Sequence, residues 1–371
     1  MDPLLQCPSA AHRAVLRLLA CANGSCPAHA LGEDLRQSAP SAIAEIACTH
    51  HVHTVLATAF HGRPELAALL PHDLWVFFAE MQKANLRRNA ALLAQLRTIG
   101  AAAAHHGIKT VALKGGAELL VPLHPLPGHR YISDLDLLLA DHDLPHGRRI
   151  LETLGGAEAD IPEIIARDHH HLPPFLFPDW PAQVELHRAI GAPDIAARLP
   201  AGEILGRSMP SDPPGLHVPS RSDRLVHLIL HGQLASGRHR RFEVSLRDCL
   251  EFQVMSEVLC RDDIEIARGR LGGGAARDAM AGLEALATAI FAPEGWADLP
   301  IAARLWSERA LLTLGRPAAQ RRRDTIDWLL HHGRAALLDP ERRRHYLREL
   351  TRPGGMQHLA ALLRDRRRRI R

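Results

Sequence analysis

Apolar residues recur at helical spacing in Ala14-Val15-Leu18-Leu19, in Ile43-Ile46-Ala47 and again from Leu74 to Ile99, so the first hundred residues read as helical. The segment Met81–Leu93 is amphipathic, with Leu86, Leu92, Leu93 and Leu96 as the expected buried stripe. That helix is expected to run to about His105 and stop at His106-Gly107, where glycine supplies a C-terminal cap. The period then changes. Ile108 to Leu113 is short, rich in β-branched residues and followed by Gly115-Gly116, the pattern of a strand, a tight turn and a helix from Ala117 to about Val121. Pro122, Pro125, Pro127 and Gly128 mark a loop, Ser133–Ala140 a strand, and Pro145–Leu154 a helix closed by Gly155-Gly156. His169–Pro181 reads as loop or edge strand and Gln183–Ala189 as a third strand.

Beyond Pro200 the helical period returns. It predicts helices at Arg221–Gln233, Val244–Leu259, Ala275–Ile290, Pro300–Leu314 and Thr325–Leu337. The proline-rich stretch Met209–Gly215 reads as a linker. The expected organisation is a helical region over 1–106, an α/β core over 107–200, and a helical domain with a basic tail over 215–371.

Composition adds limits. The 371 residues are 46% hydrophobic and 23% charged, enough to bury ordinary cores. No apolar run approaches the roughly 18 residues of a membrane span. Asp2, Arg13 and Arg17 break the pattern of a secretory signal. Six scattered cysteines show no C-x-x-C pair. The simplest expectation is a soluble, reduced, cytoplasmic protein. Of 45 basic residues only Lys83, Lys109 and Lys114 are lysines, a bias toward arginine throughout rather than a nucleic-acid signature. Residues 341–371 hold eleven arginines against three acids, a net of +8; the whole chain is +4, so residues 1–340 are −4.

Three short patterns carry candidate chemistry. In Ser133-Asp134-Leu135-Asp136-Leu137, alternation on a strand puts Asp134 and Asp136 on one face and the leucines on the other. Adjacent carboxylates repel, and a hard divalent cation relieves that repulsion, although a solvated strand edge gives the same pattern. In Leu113-Lys114-Gly115-Gly116-Ala117, glycines before a helix allow a close approach to phosphate, or simply make a tight turn. In Gln183-Val184-Glu185-Leu186-His187, Gln183, Glu185 and His187 share a face. There Glu185 would complete a metal-binding set or serve as general base, or the face would be solvated.

Taken together, a strand with Gly-Gly and helix, a strand with Asp-x-Asp, and a further strand with one carboxylate resemble the DNA polymerase β-like nucleotidyltransferases. The closer resemblance is to the bacterial group of uncharacterised nucleotidyltransferases, through Leu113–Ala117, Arg130-Tyr131-Ile132-Ser133-Asp134-Leu135-Asp136 and Val184-Glu185-Leu186-His187. His169–Pro173, Leu228–His231 and Leu246-Arg247-Asp248 are similar to its pattern as well. The connection from Gly116 to Asp134 departs from minimal members in its length, and Gly116 stands where the superfamily often has serine.

The resemblance implies an α+β fold with a small mixed sheet between helical regions, and transfer of a nucleoside monophosphate from an NTP, with ATP the expected donor. It implies two Mg²⁺ ions held by Asp134, Asp136 and Glu185, with Glu185 also accepting the acceptor's proton. Lys114, Gly115, Gly116, Arg130 and Ser133 would contact the donor, Arg130 and Lys114 at the pyrophosphate. The acceptor would be a hydroxyl on a small molecule, a peptide or protein, or RNA. Competing readings are a toxin-like enzyme acting on tRNA, which the basic tail favours, and a non-catalytic nucleotide-binding regulator that keeps the fold. Histidine pairs at His50-His51, His105-His106 and His331-His332 lack partner ligands at metal spacing. His227 and His231 read as a polar core junction, Arg247-Asp248 as an ion pair, and His171 as a candidate substrate contact.

Overall fold

The computed structural model describes residues 2–25, 28–61, 63–160, 169–212 and 214–351. The expected basic tail beyond residue 351 lies outside the described residues. The helices that matter for the site are α1 (Ala10–Ala22), α2 (His72–His105), α3 (Lys114–Leu120), α4 (Leu144–Thr153), α5 (Arg221–Ile229), α6 (Leu246–Val258), α7 (Ala275–Phe291) and α8 (Ile301–Leu314). The strands are β1 (Thr110–Ala112), β2 (Leu135–Leu138), β3 (Ala157–Glu158), β4 (Phe175–Leu176), β5 (Val184–His187), β6 (Met209–Pro210) and β7 (Leu216–Val218). They form a mixed sheet in the order β3-β4-β5-β2-β1-β7-β6, so the chain is α+β, with helical segments before and after the sheet. No described helix is long and apolar enough to cross a membrane.

Two cores organise the molecule. One collects Leu96 and Ile99 of α2 with Ala112, Leu135, Leu137, Val184 and Leu186 from one face of the sheet. The other joins Leu18, Leu19 and Phe78 from the N-terminal helices to Ile229, Leu286 and Leu311 from the C-terminal ones. The helices on either side of the sheet therefore share one apolar interior.

Helix α2 buries Leu92 and Leu96 of the expected stripe and leaves Leu86 out of it. Asn85, Asn89, Leu92, Leu96, Ile99 and Ala103 face inward at alternating spacings of four and three, whereas Leu86 is 48% exposed. The upper half of the stripe is polar for a reason. Asn85 Nδ2 donates to the carbonyls of Gly128 and Arg130, and Asn89 Nδ2 donates to those of Pro127 and Arg130. Arg88 reaches the carbonyls of Ile132, Ser133 and Pro181. The long proline-rich connection into β2 thus gets its hydrogen bonds from a helix, which fixes where the following aspartates start.

The stretch read as a linker carries β6 and the turn into β7. Pro210 sits on the outermost strand, where a missing N–H leaves no central ladder bond unmade. Gly215 in that turn has φ +90°, and a Cβ there would lie 2.5 Å from Gly100 O and 2.9 Å from Ala104 N of α2. Its carbonyl accepts from Thr110 N, seating β7 parallel to β1. Gly215→Ala is expected to lower the unfolding free energy by about 2 kcal/mol, through left-handed strain and contact with helix backbone, measurable by urea unfolding. Cys21 forms a disulfide, which departs from the expectation of reduced thiols throughout; no C-x-x-C spacing announces it.

Candidate active site

Strands β2 and β5 run parallel, and their register sets Asp136 beside Glu185 and Leu138 beside His187. Residues two apart on a strand share a face, so Asp136, Glu185 and His187 point one way while Leu135, Leu137, Val184 and Leu186 enter the core on the other. These three residues each offer one ligand atom, and among the described residues the three atoms lie within 4.8 Å of one another. His187 Nε2 stands 2.9 Å from Asp136 Oδ1 and 3.5 Å from Glu185 Oε2.

Asp134 is placed differently. It precedes the first residue of β2, is half-buried, and stands outside that three-atom group. Its Oδ1 accepts from Ser133 Oγ at 3.0 Å. Burial, and then the negative charge of Asp136, push its carboxyl above the ordinary value. Asp136 goes the other way. Burial would raise it, but Lys114 and His187 outweigh burial and hold it ionised well below the usual range. Glu185 is also lowered, with burial opposed by His187 and the charge of His171. Burial pulls His187 down, yet the carboxylates of Asp136 and Glu185 win and raise it.

Lys114, expected at the pyrophosphate, donates to Asp136 Oδ1 at 2.8 Å. Its backbone has φ +45°, a conformation that costs a non-glycine residue about 1–2 kcal/mol. Helix α3 begins at Lys114 rather than at Ala117, so both glycines lie inside its first turn. They are buried, and a Cβ on Gly115 would meet Ile132 Cγ2 at 2.8 Å, one on Gly116 the Ala112 Cβ at 3.2 Å. Close packing of α3 on the sheet thus accounts for the Gly-Gly pair. Arg130 pairs with Glu251 of α6 at 3.2 Å and donates to Lys114 O.

A small cleft of about 60 Å³, partly open to solvent, adjoins this group. Lys114 and Arg130 line it from the core side; Arg224, His227, His231, Arg247, Asp248 and Glu251 line it from α5, the π-helical turn Leu230–Ala235 and α6. Burial holds His231 at about 3 and His227 well below its ordinary value, so both imidazoles are neutral near pH 7. Four cationic side chains against two carboxylates leave the lining net positive, the balance that suits a polyphosphate. Arg247 is the one that looks back at the strand: burial lowers it, but Glu251, Asp248, Asp134 and Asp136 together raise it.

Histidines wall the other side. The backbone of His170 and Leu172 bonds to β5 through Arg188 N and Leu186 O, which sets the His170 and His171 rings 5.4 and 5.1 Å from that of His187. His171 Nε2 is 3.7 Å from Glu185 Oε2. The sequence did not single out His187 as a ligand or Arg224 as a cleft residue. His187 was readable only as a member of the Glu185 face, and Arg224 carried no motif.

A divalent cation fits these residues. Asp136 Oδ2 is buried with no hydrogen-bond partner, and an ion beside it would satisfy it.

A model of a family described as uncharacterised nucleotidyltransferase matches residues 39–266. That span holds α2, the whole sheet, α5 and α6. No curated protein and no solved structure matches the chain.

Proposed function

The chain belongs to this uncharacterised nucleotidyltransferase family, and we propose that it transfers a nucleoside monophosphate from an NTP, ATP first among donors, to an acceptor hydroxyl with release of pyrophosphate. The observation that carries the reading is the in-register pair Asp136–Glu185 beside a cationic cleft. The order of strand, glycine-bearing helix, Asp-x-Asp strand and parallel Glu strand supports a relation to the polymerase β-like enzymes.

In this reading the triphosphate lies along the cleft, with Arg130, Arg224 and Arg247 balancing its charge. Lys114 and the first-turn amides of Gly115 and Gly116 would contact the phosphates at the start of the helix. Asp134, Asp136 and Glu185 would hold Mg²⁺, which supplies charge neutralisation at the entering and leaving oxygens. Glu185, ionised and partly open, accepts the proton of the acceptor hydroxyl. The α5–α6 wall shields the reacting phosphate from bulk water.

The test is incubation of the full chain with each α-labelled NTP, Mg²⁺ and a cell extract. The expected result is label on one class of acceptor with stoichiometric pyrophosphate, abolished by Glu185→Gln. Tight NTP binding with no label on any acceptor would overturn transfer and leave a nucleotide-binding regulator.

A further inference from the structure

We infer that the ion this chain holds before any nucleotide arrives is a nitrogen-accepting transition cation of the Zn²⁺ class, ligated by Asp136, Glu185 and His187 Nε2. The inference rests on the reading that the site works with divalent cations, and it concerns which cation the protein itself selects.

The donor set is the first argument. Mg²⁺ prefers oxygen ligands, gives up its water reluctantly and is commonly held by one or two carboxylates together with substrate phosphates. An imidazole nitrogen beside two carboxylate oxygens suits Zn²⁺ better. Here the third atom facing the Asp136–Glu185 pair is that nitrogen, with Asp134 outside the group. The second argument is that His187 is prepared for the role. Its side chain is 2% exposed, and Nε2 faces both carboxylates at ion-pair distance. Its Nδ1 lies 3.3 Å from the carbonyl of Ala189, which can only accept. Nδ1 therefore carries a proton, and an ion entering between the side chains would displace the one that Nε2 shares with the carboxylates, leaving the Nε2 lone pair to ligate it.

Spacing agrees. Two ligands about 2.1 Å from one tetrahedral ion stand about 3.4 Å apart. The 3.5 Å from Nε2 to Glu185 Oε2 matches that value. Lys114 occupies Asp136 Oδ1, and Oδ2 is the buried atom left without a partner.

The test uses the full chain stripped of metal by chelation and titrated, with no nucleotide present, against Zn²⁺, Mg²⁺ and Co²⁺ as a visible-absorption probe. The expected result is one Zn²⁺ per chain, bound at least 100-fold more tightly than Mg²⁺, and a Co²⁺ spectrum that changes in His187→Gln. That variant should lose Zn²⁺ affinity by about 100-fold or more, with near-ultraviolet circular dichroism reporting that it folds. Should it fail to fold, Glu185→Gln, at a half-buried position, is expected to show a comparable loss. Equal competition by Mg²⁺, or Zn²⁺ affinity unchanged in the folded variant, would overturn the inference. Zn²⁺ bound through His187 in a chain that moves no label would uphold the inference and sink the transferase reading. Mg²⁺-driven transfer without Zn²⁺ affinity would do the reverse.

Discussion

Asp136→Asn is expected to reduce nucleotidyl transfer by about 10³-fold while leaving the fold in place. The asparagine keeps the volume of a side chain that is 1% exposed, so packing against the sheet survives. What it removes is the charge that Lys114 and His187 both answer. A neutral amide binds a divalent ion weakly and gives Lys114 no counter-charge, so the cation site and the lysine geometry fail together. Relief of repulsion from Glu185 and Asp134 offsets part of the lost pairing, so the melting temperature should move by only a few degrees. Asp134→Asn, at a half-buried position outside the three-atom group, should reduce transfer by about 10- to 100-fold. Initial rates with labelled donor over a range of Mg²⁺ concentrations separate the two. An Asp134 variant as inactive as the Asp136 variant would place the two aspartates on the same footing.

Where the sequence could be read, local periodicity was enough. Strands β1, β2 and β5 are short alternating or β-branched runs, each placed within two residues of its observed ends, because the pleat forces a period of two. The same rule put Asp136, Glu185 and His187 on faces, but no single strand says which faces meet. That came from the parallel β2–β5 register, a long-range fact. Helix α2 shows the converse. Leu86 looked buried because it is apolar, yet Asn85 and Asn89 take the inward positions to satisfy loop carbonyls forty residues away. A hydrophobicity pattern has no way to reward such asparagines. The cleft was similarly hidden: Lys114 and Arg247 are 133 positions apart, and only the packing of α6 beside the sheet brings them together. Strands β6 and β7 escaped because proline argues against a central strand, and β6 is an edge.

Glu118→Gln is expected to cost about 3–5 kcal/mol of stability at neutral pH, since it breaks a buried ion pair and leaves the partner charge stranded. Glu118 lies in α3, four residues after Lys114, and its side chain is 7% exposed. Oε2 takes Arg224 Nη2 at 2.7 Å, and Oε1 takes the amides of Leu123 and His124 at 2.9 Å. Arg224 belongs to α5 and also donates to Val121 O, so the pair ties the helix that carries Lys114 to the far wall of the cleft. Burial alone would raise the Glu118 carboxyl, but the bond from His124 and the charges of His124, Arg224 and Arg130 hold it at about 2. A folded value below the ordinary 4.5 means this stabilisation is complete above about pH 4.5 and drains away as pH falls toward 2. The difference corresponds to about 3 kcal/mol. Urea unfolding at stepped pH should therefore show the parent losing stability over that window and Glu118→Gln losing distinctly less. Adding Arg224→Met to the variant should recover part of the loss, because the stranded guanidinium is then gone, with a coupling of about 2 kcal/mol or more. Additive single and double variants, or a Glu118→Gln protein as stable as the parent at pH 7, would show that the two halves of the cleft are held together by packing of the shared apolar core and not by this pair.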